Sequence, residues 1–74
     1  MNYKAKLNKK ETGLNLYRLI ENSGKSKTEI AEFLELETPR VIYDWVNGFK
    51  LPTVENLFNL AKFLNVQMED ILAI

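Results

Sequence analysis

The sequence predicts an all-α fold, and three observations support this prediction. Apolar residues recur at helical spacing, most clearly between Leu57 and Leu64, where they follow the i, i+3, i+4, i+7 pattern of a core-facing helix. Capping and stop signals lie at the ends of the periodic segments. No stretch alternates apolar and polar residues long enough to predict a strand. With 74 residues, the chain is the size of one small domain.

The first eleven residues lack apolar periodicity and are predicted to form a short basic N-terminal arm, residues 1–11, ahead of a domain over residues 12–74. The lysines of this arm are Lys4, Lys6, Lys9 and Lys10. Two interpretations of the arm remain open, namely a solvated charged tail and a segment that contacts DNA. Helix one is predicted from Thr12 or Gly13 to Asn22, where a serine and a glycine follow.

The second helix is predicted from about Lys27 to Leu34. Ser26 and Glu29 have the S-x-x-E spacing of a capping box, in which the serine hydroxyl and the glutamate carboxylate each accept a backbone N–H. The apolar residues that follow, starting at Ile30, fall on one helical face.

The third helix is predicted from about Pro39 to Asn47. Thr38 offers a capping oxygen, and a proline is tolerated in the first helical turn because its missing N–H has no partner there. The inward side of this helix is predicted to hold Ile42, Trp45, Val46 and Thr38. Two short amphipathic helices separated by about three residues indicate a helix-turn-helix, whose second helix can enter the major groove of DNA.

Two further helices complete the prediction. Thr53 is expected to cap helix four, which extends to about Leu64, and Asn65 is expected to end it in a left-handed conformation. Helix five is predicted from Met68 to Ala73 after a poor cap.

The composition argues against several classes of function. The chain contains no cysteine and no histidine, which removes the usual zinc ligands, thiol chemistry and the commonest general base. We therefore expect no enzyme activity, no metal, no cofactor and no small-molecule ligand. No apolar run is long enough to span a bilayer, so no membrane partner is expected. The absence of cysteine and of a secretory signal pattern fits a cytoplasmic location.

The balance of charge leaves two functions open. Ten basic residues offset ten acidic ones, whereas DNA-binding domains usually carry a basic surface. Acids crowd helix two and the turn after it, at Glu29, Glu32, Glu35 and Glu37. A protein-interaction module, similar to an antitoxin or antirepressor, is therefore the alternative to a DNA-binding regulator.

Several segments in order resemble the Cro/C1-type, or XRE-like, helix-turn-helix family of bacterial and phage regulators over roughly residues 13–73. They are GKSKTEIAEFL from Gly24, VIYDWVNG from Val41, LPTVENLFNLAKFLNV from Leu51, and EDIL from Glu69. The resemblance implies a compact five-helix, lambda-repressor-like domain that binds double-stranded operator DNA, often as a homodimer, and most simply as a repressor. The chain departs from the family in a turn one residue longer, and in Pro39 and Asp44, where amides or basic residues are frequent.

The outward face of helix three supplies the expected base contacts, which are Arg40, Val41, Tyr43 and Asp44. The guanidinium of Arg40 matches the O6 and N7 acceptors of guanine, and the carboxylate of Asp44 can accept from cytosine N4. Tyr43 and Val41 can contact a thymine methyl group, and the Tyr43 hydroxyl can instead reach a phosphate.

Contacts to the DNA backbone are expected from Lys27, Thr38, Asn47 and Lys50. Lys27 adds positive charge at the N-terminus of helix two, where free N–H groups favour an anion. The resemblance implies contacts from Lys27 and Asn47, and Lys50 lies in the loop that follows. A dimer contact is expected at helix five and Ile74.

Overall fold

The computed structural model describes residues 4–74 and contains, within that range, five α-helices and no β-strand. The helices are α1 (Lys9–Ser23), α2 (Lys27–Phe33), α3 (Arg40–Val46), α4 (Val54–Leu64) and α5 (Met68–Ile71). The predicted all-α, five-helix fold is confirmed. None of these helices in the described part of the chain is both long enough and apolar enough to cross a membrane.

Helix α1 begins three residues earlier than Thr12, the first start predicted for it. Asn8 is its N-cap, because the Asn8 side chain accepts a hydrogen bond from the Glu11 N–H at 2.9 Å. Lys9 and Lys10 therefore belong to a helix and not to an arm, and only residues 4–8 of the described chain precede it. Residues 1–3 of the predicted arm lie outside the described residues.

The predicted caps of α2 and α4 are confirmed. Ser26 and Glu29 form both hydrogen bonds of the capping box, at 2.9 and 3.0 Å. The Thr53 side chain accepts from the Asn56 N–H at 3.2 Å, and Asn65 ends α4 with a left-handed φ of 60°. Local side-chain chemistry thus fixes both ends of α4 and the start of α2.

The core lies where the five helices meet, and each of them contributes at least one buried apolar side chain. Its most deeply buried apolar side chains, none of them more than 2% exposed, are Leu16, Ile20, Ile30, Ile42, Leu60 and Ile71. Trp45 of α3 is only 4% exposed and belongs to the same cluster. Burial of its large ring makes α3 part of the core and leaves the opposite face of this helix for solvent.

The chain after α5 is fixed against the start of α1. The hydroxyl oxygen of Thr12, a buried residue, accepts from the Ala73 N–H at 3.0 Å, and the Ala73 carbonyl accepts from the Asn8 N–H at 2.8 Å. Helix α5 therefore ends at Ile71 and not at the predicted Ala73, because the backbone of Ala73 bonds to α1 and the preceding Leu72 is extended. These bonds hold the two ends of the described fold together.

Helices α1 and α3 approach each other closely at Gly13, which is buried. A Cβ atom added at Gly13 would lie 2.6 Å from the Trp45 carbonyl oxygen and 2.7 Å from that of Val46. Real Cβ atoms essentially never make contacts this short. Glycine at this position lets the C-terminal end of α3 lie directly on α1, which sets the position of α3 in the fold.

Candidate nucleic-acid interface

The face of α3 opposite the core carries the predicted contact residues. Arg40 and Tyr43 are exposed, while Val41 and Asp44 are half-buried. Val41 packs at the margin of the core, so less of its side chain is available than the sequence predicted. Arg40 forms no ion pair with any residue between 4 and 74. Its guanidinium is therefore available to an external acceptor.

The inward side of α3 differs from the prediction at two of its four residues. Ile42 and Trp45 are buried as predicted, but Val46 is only half-buried and Thr38 is exposed. Thr38 precedes the helix, so the helical spacing used to place it does not apply there.

The start of α3 keeps the predicted chemistry with a shift of one residue. The helix begins at Arg40, and Pro39 before it already has helical dihedral angles (φ −63°, ψ −12°). Pro39 occupies the cap position without a side-chain acceptor, and the Thr38 hydroxyl instead accepts from the Arg40 N–H at 3.3 Å. This bond fixes the first turn from which the Arg40 side chain extends.

The turn between α2 and α3 comprises residues 34–39, longer than the predicted separation of about three residues. Glu35 within it has a left-handed φ of 59°, which residues other than glycine, asparagine and aspartate seldom adopt. The Leu36 N–H donates to the Ala31 carbonyl at 2.9 Å, and the Leu36 side chain packs against the core. The extra length is therefore held in a defined conformation by a backbone bond to α2 and by packing on the core.

Lys50 lies beside the outward face of α3. Its ammonium is 4.0 Å from the Asp44 carboxylate, and the Asp44 carbonyl accepts from the N–H groups of Phe49 and Lys50 at 2.9 and 3.3 Å. A surface ion pair of this length contributes little stability, but it reduces the negative charge that Asp44 presents to a phosphate. The loop after α3 thus places a cation next to the acid that departs from the family pattern.

Lys27 connects the start of α2 to α3. Its ammonium lies 5.2 Å from the centroid of the Tyr43 ring, within the range of a cation–π contact. Two predicted contact residues from different helices are therefore neighbours.

The capping box fixes the N-terminus that carries Lys27. Hydrogen bonds from the backbone and side chain of Ser26 lower the pKa of Glu29, with a smaller contribution from the charge of Lys25. Glu29 is therefore ionised at neutral pH and holds the cap.

The start of α1 lies beside the C-terminal end of α3, which the sequence did not predict. Gly48 has a left-handed φ of 78°, and a Cβ atom there would be 2.9 Å from the Lys10 Cα. This approach brings the backbone of Lys9 and Lys10 next to the loop that carries Lys50. The two segments are far apart in the sequence. The one sequence signal for this contact was the glycine at position 48, whose lack of a side chain leaves room for another backbone.

Between residues 4 and 74 no group of three acidic side chains is placed to hold a metal ion, and the chain contains no histidine or cysteine. What the surface offers is an exposed helix flanked by the ammonium groups of Lys27 and Lys50.

Comparisons with known proteins identify this arrangement. A search of curated proteins finds no match. Among solved structures, the DNA-binding domain of BldD is similar with a TM-score of 0.73 and 24% sequence identity, over 89% of this chain and 94% of that chain. That similarity concerns the fold. The profile of a family described as helix-turn-helix matches residues 16–71, which include all of α2, α3, α4 and α5. The chain belongs to the Cro/C1-type helix-turn-helix family of DNA-binding proteins.

Proposed function

We propose that this protein is a sequence-specific transcriptional regulator, acting as a repressor, that inserts α3 into the major groove of operator DNA. The observation that supports this best is the two-sided placement of α3. Ile42 and Trp45 anchor one side in the core, whereas Arg40 and Tyr43 face solvent on the other. A helix held in this way can present side chains to base edges without losing its own packing.

Arg40 is the principal base contact in this proposal. Its guanidinium is exposed, has no acidic partner among the described residues, and can bind the O6 and N7 atoms of guanine together. Asp44 accepts from cytosine N4, with Lys50 offsetting its repulsion of phosphates. Tyr43 and the exposed part of Val41 contact thymine methyl groups.

Contacts to the DNA backbone are made by Lys27, Thr38, Asn47 and Lys50. They come from both ends of α3 and from the start of α2, so they surround the base-reading face. Contacts to phosphates fix the register of a protein on the duplex and supply much of its affinity. Thr38 has its hydroxyl oxygen bound to the Arg40 N–H, and its hydroxyl hydrogen remains free to donate.

We expect the repressor to bind its operator as a homodimer, because a single small domain forms a small interface with DNA. One small module buries little DNA surface, and a two-fold pair reads two half-sites together. Most of the apolar surface of α5 already packs in the core, since Ile71 is buried and Met68 and Leu72 are partly buried. Ile74, which is 75% exposed, is the apolar residue that this region leaves for a dimer contact.

The experiment that tests this function selects duplexes from a random library and measures their affinities by fluorescence anisotropy over a range of salt concentrations. Arg40→Ala should lose discrimination at one base position, by about 1–3 kcal/mol. Arg18→Ala is the matched control, because Arg18 is the only other arginine and is exposed on α1. Failure of the wild-type protein to enrich any sequence at low salt refutes the proposal, as does equal loss of discrimination in both variants.

A protein-interaction module remains the second candidate, and one observation favours it. Glu29, Glu32, Glu35 and Glu37 are all exposed on α2 and the adjoining turn, and the whole chain has no net charge. A basic partner protein would bind this acidic surface. Affinity purification from source cells discriminates the two functions. The interaction module is supported if a stoichiometric protein partner is recovered without specific DNA, and if Glu32→Lys and Glu37→Lys abolish its binding.

A further inference from the structure

A shallow groove lies between α1, the start of α2 and α3, and the site residues proposed above only partly account for it. It encloses about 340 Å³ and is lined by Leu14, Tyr17, Lys27, Tyr43, Val46 and Asn47. Leu14 and Tyr17 are 37% and 47% exposed, although both lie on the helix that packs most closely on α3. Exposed apolar side chains that gather in one groove indicate a surface that another molecule covers.

The groove is continuous with the proposed DNA interface. Three of its lining residues, Lys27, Tyr43 and Asn47, are also proposed DNA contacts, and Leu14 and Tyr17 of α1 line the same groove. The ammonium of Lys27 lies 5.2 Å from the Tyr43 ring centroid, at the junction of the two surfaces. A duplex that approaches the outward face of α3 therefore passes the opening of the groove.

The chemistry of the lining matches a sugar–phosphate backbone. Leu14 and Val46 offer apolar contact to a deoxyribose, and the tyrosine hydroxyls and the asparagine amide can donate to phosphate oxygens. The one charged side chain in the lining is the cation of Lys27, and no carboxylate lines the groove. An acidic peptide could also bind the Lys27 cation. A duplex is favoured because the groove adjoins the face of α3 that is proposed to enter the major groove.

We propose that one strand of the bound duplex lies with its sugar–phosphate backbone in this groove, with Tyr17 donating to a phosphate and Leu14 packing against a deoxyribose. The proposal rests on the proposed DNA-binding function and adds α1 to the interface. Because these contacts reach no base edge, they raise affinity for all sequences equally and leave the preference among sequences to Arg40.

Charge substitutions within the groove test the proposal, with the same changes made outside it on the same helix. Tyr17→Glu places a carboxylate beside the phosphate, and Leu14→Lys adds a cation. The matched controls are Asn22→Glu and Asn22→Lys, because Asn22 is exposed on α1 and does not line the groove. Each pair makes the same change in formal charge, so a difference within a pair reports position and not total charge.

The expected results have opposite signs for the two groove variants. Tyr17→Glu should lower affinity for selected and unselected duplexes alike by about tenfold or more, as like charges in contact do. Leu14→Lys should raise affinity and steepen the dependence of log K on log salt by about 1, as one added phosphate contact does. Circular dichroism melts establish whether both variants fold. If Tyr17→Glu does not fold, the affinity of Leu14→Lys for DNA decides whether the groove contacts the duplex.

The outcomes separate this proposal from the proposed function. If the wild type binds a selected duplex and Arg40→Ala loses its preference, but both groove variants bind like their Asn22 controls, the groove lies off the DNA and this proposal alone is refuted. If Tyr17→Glu instead changes the molecular mass measured by sedimentation while DNA affinity per subunit is unchanged, a second copy covers the groove, which also refutes it. If the wild type binds no DNA, the proposed function fails first.

Discussion

Gly13→Ala tests whether the position of α3 depends on its close approach to α1. The substitution has two opposing effects on the free energy of unfolding. Alanine is a better helix former than glycine by about 1 kcal/mol in a helix interior, which favours the variant. The new Cβ atom, however, would lie 2.6 and 2.7 Å from the carbonyl oxygens of Trp45 and Val46.

The steric contact decides the sign of the change in the free energy of unfolding, because both opposing atoms belong to the backbone. Neither oxygen can rotate away as the end of a side chain would, so α3 must move as a unit by several tenths of an ångström to bring these contacts to 3.0 Å or more. Overpacking of this kind costs about 1–3 kcal/mol, and the upper half of that range applies to two backbone contacts at once. After the gain in helix propensity, we expect a net loss of about 1–2 kcal/mol.

Thermal and urea denaturation followed by circular dichroism measure this loss. A domain of this size loses about 4–8 °C in Tm for each kcal/mol, so the expected decrease is about 5–15 °C. Asn22→Ala on the exposed side of α1 is the control, and it should be neutral or slightly stabilising. A Gly13→Ala protein more stable than the wild type would show that α3 is not held by this contact.

Three further perturbations address the caps and the turn. Thr12→Val leaves the Ala73 N–H without its acceptor and should cost about 1–3 kcal/mol in urea denaturation, whereas Thr12→Ser should restore most of it. Glu29→Ala should destabilise at neutral pH only; because the folded-state pKa of Glu29 is lowered, its contribution is present above the ordinary carboxyl pKa and is lost as the pH falls through the lowered value. Melts of both proteins between neutral and acidic pH should therefore converge at the acidic end. Glu35→Gly should stabilise by up to about 1 kcal/mol, since glycine adopts the left-handed φ without strain, and an unchanged or lower Tm would contradict this.

The sequence predicted those helices whose ends depend on neighbouring residues. The capping box of Ser26 and Glu29 and the left-handed Asn65 act within one helical turn, so their spacing was sufficient to place them. The first turn of α1 was misplaced although its cap is local, because the Asn8 side chain that accepts from the Glu11 N–H was overlooked. The end of α5 was misplaced because the backbone of Ala73 bonds to Asn8 and Thr12, across nearly the whole described chain. No local pattern carries information about a bond of that kind.

The same distinction between local pattern and long-range contact applies to the candidate site. Helical periodicity was enough to place Ile42 in the core and Arg40 in solvent. It did not reveal the contact between Lys27 and the Tyr43 ring, or the groove beside α1, because those depend on how separate helices meet. Gly13 gave one sequence signal of this kind, since a glycine inside a helical pattern can mark the close approach of another backbone.

Because Ala73 bonds to the start of α1, we expect the two edges of the domain to open together. Fraying of the segment after α5 breaks the bond to the Thr12 hydroxyl and frees the Asn8 amide that precedes the first helical turn. Amide hydrogen exchange at Ala73 should therefore follow global unfolding and not the rapid exchange of a locally frayed segment. We therefore expect the domain to unfold in a single two-state transition in which both edges are lost together.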